Sequence, residues 1–433
     1  MTLKKNYFSP RWSGEICDCS MPMTLDTYSE CSFNCLYCFA FFQKSHSCTG
    51  YKEENNVTRS VNVDKIKKIF QDCENNQSSN QQFLQFMPYI QERLTLQWGG
   101  MGDPFDKNEE KYNISLELLK FFDKIDYPLS ISTKGTFFVD DERYMKLIRK
   151  HPHNWHFKIS IITLNKEKAS IIEEGVAPPR ERLKIIQKLS QEGIPVTLRL
   201  RPYIIGLSED YPELIKEAKK HGARSVSTEF FCLESRANKE LKQKYKQISQ
   251  LVGYNIWSFY KKHSHGAGYH RLNYNIKRKI INNMRNITHQ QGMKFYVSDS
   301  HHKEKSDGTC CCGCPQEFNI FRGQFSEALQ IAKNNKEHIV RWENIKDNCQ
   351  EILGNVSWYT ASGFQTGSSR EQSLRLRQSL YDYVHEIWNT PQKRLNPYNY
   401  FGGVLYPIGL DEHDDIIYKY NIDQANKGVK NGK

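Results

Sequence analysis

The sequence predicts an α/β fold built on a parallel sheet. Seven short apolar or alternating runs read as strands, helical patterns lie between most of them, and 433 residues give room for one large domain or two ordinary ones. Alternation of strand and helix points to parallel βαβ units, because parallel neighbours need a long crossover.

The strands are expected at 24–28, 94–98, 129–133, 157–162, 196–203, 225–230 and 294–298. The first helix, 64–73, places Ile66, Ile69 and Phe70 on one face. Helices at 109–125, 140–150, 180–192 and 210–221 follow. The polar stretch 74–82 reads as a solvated loop, and 233–262, long and charged, as a helical excursion between the sixth and seventh strands. After Cys314 the chain becomes aromatic and basic with helical stretches, notably 370–388. The expected division is a lead-in at 1–22, the strand-bearing domain at 23–315 and a mostly helical C-terminal domain at 316–433, whose end frays from 421 onward.

Hydrophobic residues at 38% and charged residues at 25% exclude a collagenous or wholly disordered chain. Lys plus Arg is 61 and Asp plus Glu is 49, a net charge of 61 − 49 = +12. That excess suits a polyanionic partner and equally a basic soluble enzyme. No apolar run reaches the roughly 18 residues of a membrane-spanning helix. Residues 1–10 carry two lysines with no apolar stretch after them, so no signal peptide is expected and the cytoplasm is the expected compartment.

Thirteen cysteines, an odd number, argue against a disulfide framework there. Cys31, Cys35 and Cys38 form a C-x3-C-x2-C triplet. Soft thiolates at such spacing can wrap one face of an iron–sulfur cube and leave one iron open. Zinc is the alternative and needs a fourth ligand close by. Cys310, Cys311, Cys312 and Cys314 form a second group, and Cys17 and Cys19 a pair. Cys48, Cys73, Cys232 and Cys349 stand alone, as buried small apolar residues often do.

The triplet, with Tyr37 before its last cysteine, resembles the signature of radical S-adenosylmethionine (SAM) enzymes. Neighbouring segments agree: Trp98-Gly99-Gly100-Met101-Gly102-Asp103-Pro104 after a strand, and Ile131-Ser132-Thr133-Lys134 at the end of the next. The stretch from Glu173-Glu174-Gly175 through Arg182-Leu183, then Arg199-Leu200-Arg201-Pro202-Tyr203, is similar to the spore photoproduct lyase-like, or DNA repair photolyase-like, branch. The resemblance covers roughly residues 15 to 300 and implies a partial (β/α)6 TIM-like barrel, open on one side, with the mainly helical segment as a C-terminal extension. It also implies a [4Fe–4S] cluster on Cys31, Cys35 and Cys38, SAM on the open iron, and an external electron donor.

Within that frame Gly99, Gly100, Met101 and Gly102 form the SAM turn, whose glycines admit close backbone approach. Asp103 accepts from the SAM ammonium, Lys134 pairs with its carboxylate, and Ser132 or Ser160 binds cofactor hydroxyls. Each serine has plain packing as its alternative. Arg199 and Arg201 alternate along one strand and face one side, toward SAM, a substrate phosphate or an internal carboxylate such as Glu229. Phe39, Phe41 and Phe42 shield the cluster by packing. Cys232 is a candidate hydrogen-atom donor, with a buried inert thiol as the alternative.

The second cysteine group is a candidate second metal site, Fe–S or zinc, using two or three of Cys310, Cys312, Cys314 and their neighbour. Cys17, Cys19, Cys349, His301 or His302 could complete it. The expected substrate is a nucleic-acid base, DNA favoured over RNA, for repair or modification; Tyr381, Tyr383 and Trp388 could stack bases or simply edge a helical core. The competing readings are a peptide- or protein-modifying radical SAM enzyme with an auxiliary cluster, and a non-catalytic metal-binding protein.

Overall fold

The structure, a computed structural model, describes residues 3–13, 15–41, 58–76, 81–265, 269–356 and 378–427. All seven expected strands form one parallel series: β2 (Met23–Leu25), β3 (Leu96–Trp98), β4 (Leu129–Thr133), β5 (Trp155–Ser160), β6 (Val196–Tyr203), β7 (Ser225–Phe230) and β8 (Lys294–Val297). The short strand β1 (Arg11–Trp12) pairs antiparallel with β2 at the first edge. The two edges, β1 and β8, do not pair, so the sheet is an open barrel, with seven parallel strands where the resemblance implied six.

Side chains alternate across each strand. Leu129, Ile131, Phe157, Ile159, Leu198, Leu200 and Val226 are fully buried in the main apolar core. The residues between them are polar and bind one another across the other face. Ser130 Oγ lies 2.9 Å from His156 Nδ1, His156 Nε2 lies 2.8 Å from Thr197 Oγ1, and that hydroxyl lies 2.7 Å from Ser225 Oγ. This belt crosses four neighbouring strands near their N-terminal ends and lines the concave interior.

The first helix is Val63–Glu74; Asn62 caps it by accepting from Lys65 N at 3.0 Å, and Ile66, Ile69 and Phe70 are buried as expected. The expected helix 109–125 is two helices, Lys107–Tyr112 and Ile114–Lys124, broken at Asn113 with φ 53°. Burial of Glu109 explains the break. Its carboxylate accepts from Ser115 N and Leu116 N, the start of the second helix, and from the Tyr28 and Tyr144 hydroxyls at 2.6 Å each.

The excursion after β7 contains helices Lys239–Val252, Ile256–His263 and Tyr274–Gln290, with a small antiparallel ribbon pairing Cys232–Glu234 with Tyr269–Leu272. Beyond residue 316 the helices Phe325–Asn334, Glu343–Leu353 and Leu380–Trp388 are joined by an antiparallel sheet of Ile339–Val340, Ile416–Tyr420 and Leu405–Leu410. Pro407 and Gly409 break the alternation that would have announced its last strand. Of the loop expected at 74–82, residues 77–80 lie outside the described residues, as do 370–377 of the helix expected at 370–388 and 428–433 of the tail.

One apolar core runs from Trp12 to Ala425 and joins the C-terminal segment to the barrel. Buried Asp18 ties the same parts together: it pairs with Lys303 at 2.7 Å and accepts from Tyr400 Oη at 2.9 Å and from Ser326 Oγ. Among the described residues no helix is long and apolar enough to cross a membrane.

Candidate active site at the mouth of the barrel

The cysteine triplet lies on the loop that follows β2, at the C-terminal end of the parallel strands, where barrels of this kind carry chemistry. Cys35 is buried; Cys31 and Cys38 are half-buried. Asn34 and Cys35 pair antiparallel with Glu174 and Glu173. The loop is then braced from below. Tyr37 Oη donates to Glu173, Glu173 pairs with Arg182 at 2.6 Å, and Arg182 Nη1 donates to the Ser160 carbonyl at the end of β5 at 2.6 Å. Glu173 and Arg182 side chains are both only 1% exposed, so the brace is a buried ion pair.

The donor set fits a thiolate-ligated cluster. The three thiols share one loop, and Cys35 acts electrostatically on Cys31 as Cys38 does on Cys35. Burial, then the Asp103 and Asp106 carboxylates, holds the Cys31 thiol well above its ordinary pKa. Burial pushes Cys35 up to about 12 against the pull of Lys134. Ligation would therefore expel protons. Burial opposes the Lys134 charge, yet Cys35, Glu173, Asp103 and Cys31 outweigh it and raise its pKa. Lys134 is the cation of this mouth, with Nζ 5.7 Å from the Tyr37 ring centroid. Among the described residues no three Cys, His, Asp or Glu side chains converge as a ready-made metal cage, so thiols in either group must turn inward to close one.

The turn after β3 is fixed from within the protein. Gly99 has φ +84°, and a Cβ there would stand 2.5 Å from the Ser132 carbonyl oxygen. Close packing of two strand ends demands this glycine. Asp103 accepts from Thr133 Oγ1 and Lys134 N at 2.6 Å each and from Phe105 N at 3.0 Å, locking the turn to the end of β4. Gly100 and Gly102 keep ordinary clearances, with a Cβ on either meeting nothing closer than 3.4 Å.

Asp26, which no motif singled out, organises the same turn. Its carboxylate accepts from Met101 N at 2.7 Å and Gly102 N at 3.1 Å and pairs with Arg11 at 3.0 Å. An acidic residue directly after an apolar strand and five residues before the triplet was the available signal. Glu173 and Arg182 stood inside a motif segment but without a role.

Ser132 and Ser160 are both buried at strand ends of the mouth. Of the partners expected for Arg201 the structure shows the internal carboxylate: Nε donates to Glu229 Oε2 at 3.0 Å, and Nη1 lies 3.8 Å from Cys312 Sγ. Cys232 lies half-buried in the ribbon after β7; burial first, then Glu229, pushes its thiol up to about 12, so it holds its proton.

Phe39 does not shield the triplet, since it is 49% exposed; Leu36 and Ala40 are the buried apolar residues on either side of it. Phe41 lies beneath Lys244, whose Nζ is 4.4 Å from the ring centroid, and Phe42 and Cys48 lie outside the described residues.

The second cysteine group enters the barrel from the opposite end. Thr197 Oγ1 donates to the Gly313 carbonyl at 3.1 Å and Ser227 Oγ to the Cys311 carbonyl at 2.7 Å. Gly313 has φ +72°, and a Cβ on it would stand 2.9 Å from Thr197, so only glycine lets the loop press onto the belt. Cys19 lies near Cys311 and Cys312. Cys17 neighbours Cys349 instead. His302 stacks on Tyr274 with centroids 4.2 Å apart, and the charges it feels are Lys277, His301 and Lys305, so it does not join the thiols. Trp388 is fully buried and donates to the Ile416 carbonyl at 2.8 Å; it is core, not a base-stacking platform.

Residues 26–218 match the sequence model of the Radical SAM superfamily. No curated protein matches the chain. Among solved structures, spore photoproduct lyase complexed with dinucleoside spore photoproduct is similar at 15% identity, covering 68% of this chain and 80% of that one, with a TM-score of 0.49. A mutant of spore photoproduct lyase with bound AdoMet and dinucleoside spore photoproduct shares 16% identity over 66% of this chain and 78% of its own, TM-score 0.48. Streptococcus suis SuiB bound to precursor peptide SuiA shares 14% identity over 49% of this chain and 40% of its own, TM-score 0.35.

Proposed function

Residues 26–218 form a Radical SAM domain and the chain is a radical SAM enzyme; on that premise we propose that Cys31, Cys35 and Cys38 ligate the [4Fe–4S] cluster and that the reaction modifies or repairs a nucleic-acid base, DNA before RNA, in the cytoplasm. That domain brings the cluster and SAM as cofactors. When bound, they supply one-electron cleavage of SAM, driven by an external donor, and abstraction of a hydrogen atom from carbon.

The observation that carries the reading is the meeting, at one end of the parallel strands, of the triplet, Lys134 and the turn at Gly99–Asp103. Here the chain's own residues orient and exclude water. The Tyr37–Glu173–Arg182 brace holds the cysteine loop against β5. Asp26 and Asp103 fix the turn from its two sides, so Gly100, Met101 and Gly102 face the SAM position with a set backbone. Lys134 supplies the cation for the SAM carboxylate, and Ser132 and Ser160 line its other side. Cys232, with its S–H intact, is the proposed hydrogen-atom donor.

Two features support a nucleic-acid substrate. The net charge is +12. Arg271, exposed beside Cys232, lies 5.4 Å from the Tyr269 ring centroid, a cation–aromatic pair of the kind on which single-stranded bases stack. Cys310, Cys312 and Cys314 enter the reading as the second metal site, Fe–S or zinc. The division into a lead-in at 1–22, a barrel at 23–315 and a C-terminal domain at 316–433 is kept as part of this proposal.

The test is anaerobic reconstitution with SAM and dithionite, with and without oligonucleotides, followed by mass spectrometry of nucleosides. We expect 5′-deoxyadenosine in both arms, an altered nucleoside in one, and neither product after replacement of Cys31, Cys35 and Cys38 by Ala. The logarithm of DNA affinity should fall by about 0.9 per phosphate neutralised for each decade of salt. Salt-insensitive binding with unaltered nucleosides would turn the reading toward a peptide substrate.

A further inference from the structure

The cysteine loop on the barrel floor carries a feature that SAM chemistry at the mouth does not use. The Cys310 thiol is within hydrogen-bonding reach of both Cys312 and Cys314. All three are buried in one small cluster with Met21, two residues after Cys19. Cys19 feels Cys311 first and then Cys312, and the Tyr89 hydroxyl feels Cys19, Cys314 and Cys310 together, so these thiols occupy one neighbourhood. Cys311, half-buried, packs against the cluster and hydrogen-bonds Cys312, and the Lys303 and Arg201 charges also act on it.

The second, independent observation is Lys158. It stands on β5 between His156 and Ser160, with its neighbour two residues earlier tied through Thr197 to the Gly313 carbonyl, so its side of the strand faces the loop. Lys158 is fully buried, and its Nζ has no hydrogen-bond partner. Burial first, and Arg199 with it, lowers its pKa, while Cys312, Cys310 and Cys314 act in the opposite sense. Its charged form needs an anion beside it, and neutral thiols do not supply one. Thiolates around a divalent metal do, because four of them leave the centre net negative. A cavity of about 160 Å³, walled by Cys310 and Cys314 together with Asp307, Gln316 and Arg322, opens this place to solvent and gives a metal its way in.

Resting on the second metal site of the proposed function, we propose that Cys19, Cys310, Cys312 and Cys314 bind one soft metal centre, zinc or an iron–sulfur cluster, in a closed four-thiolate site that plugs the barrel floor, with Lys158 as its counter-charge. With zinc each thiol releases its proton to solvent on ligation and no electron moves; a preformed [4Fe–4S] cluster is taken up by exchange, the four cysteine protons leaving on the displaced small thiols, again with no change of oxidation state. The centre staples the N-terminal lead-in to the loop after β8, at the end of the strands opposite the triplet. With all four positions held by protein, it is a structural site that leaves no open coordination position for substrate.

The test uses the full chain with Cys31, Cys35 and Cys38 replaced by Ala, so that its outcome is independent of the cluster at the mouth. After anaerobic incubation with zinc, or with a preformed [4Fe–4S] cluster carried by a small thiol, about one centre per chain should remain by elemental analysis. Iron with sulfide and a visible absorption band identifies a cluster; zinc alone identifies a zinc site. Adding Cys310→Ala, Cys312→Ala and Cys314→Ala should abolish binding. Cys19→Ala should weaken it while Cys311→Ala leaves it intact. Lys158→Met should lower metal affinity about 10- to 100-fold, as loss of an outer-shell partner does.

Should these variants fail to fold, peptide mapping of alkylated thiols in the unsubstituted chain identifies the same ligands. Cys19, Cys310, Cys312 and Cys314 should be protected until a chelator is added, and Cys311 modified equally with and without it. A folded triplet variant that stays free of both metals, equal loss on substitution of Cys19 and Cys311, or alkylation indifferent to chelator overturns the proposal.

Discussion

Arg182→Met tests whether a buried ion pair holds the cysteine loop. The substitution removes the Glu173 partner at 2.6 Å and the bond to the Ser160 carbonyl, while keeping most of the side chain's volume. Glu173, 1% exposed, is left with the Tyr37 hydroxyl as its partner. An uncompensated buried charge of this kind costs about 3–5 kcal/mol. That is a large share of a typical total stability of about 5–15 kcal/mol. With a urea dependence of about 3 kcal/mol per molar, the unfolding midpoint should fall by about 1–1.7 M. The assay is urea titration by circular dichroism at pH 7, with retained iron measured on the same samples; iron should fall with the midpoint. Glu173→Leu combined with Arg182→Met removes both charges, and most of the loss should return, because a buried pair is worth little more than an apolar replacement. A midpoint shift below about 0.3 M, or a double variant no better than the single one, would refute the reasoning.

Gly99→Ala places a methyl group 2.5 Å from the Ser132 carbonyl at φ +84°, so it should destabilise the chain by about 1–3 kcal/mol, whereas Gly102→Ala, with 3.4 Å of clearance, should cost far less; thermal unfolding of the two variants compares them. Burial pushes the Glu304 carboxyl up to about 7, so the folded protein binds a proton there that the unfolded chain has already released. Stability from this group is therefore full below about pH 4.5 and falls as pH rises to about 7, by about 3 kcal/mol in all; Glu304→Gln should remove that slope from urea midpoints measured between pH 5 and 8, and an unchanged slope would reject the assignment.

Much of the site was legible because its signals are local. The triplet and the glycine-rich turn each occupy fewer than ten consecutive residues, and strands of period two announced themselves between helices of period 3.6. The break at Asn113 was not legible, because the helix pattern continues through it; the cause is Glu109, whose four partners come from Tyr28, Tyr144, Ser115 and Leu116. Nor was the internal anchoring of Asp103 legible, because the amide of Lys134 and the hydroxyl of Thr133 that it binds lie some thirty residues further along the chain.

The sequence by itself determined the α/β class, all seven parallel strands and the thiol-rich loop at the C-terminal side of the first, because periodicity and metal-ligand spacing are properties of neighbours along the chain. Tertiary structure alone decided who meets the charges. Arg201 went to Glu229, Arg182 to Glu173 across nine residues, and Asp26 to a turn 75 residues away, while Lys158 was left facing the cysteines of a loop more than 150 positions later. The physical reason is that a buried charge must be met by whatever group the fold brings beside it, and pairing across strands depends on register and crossover, which no local pattern encodes.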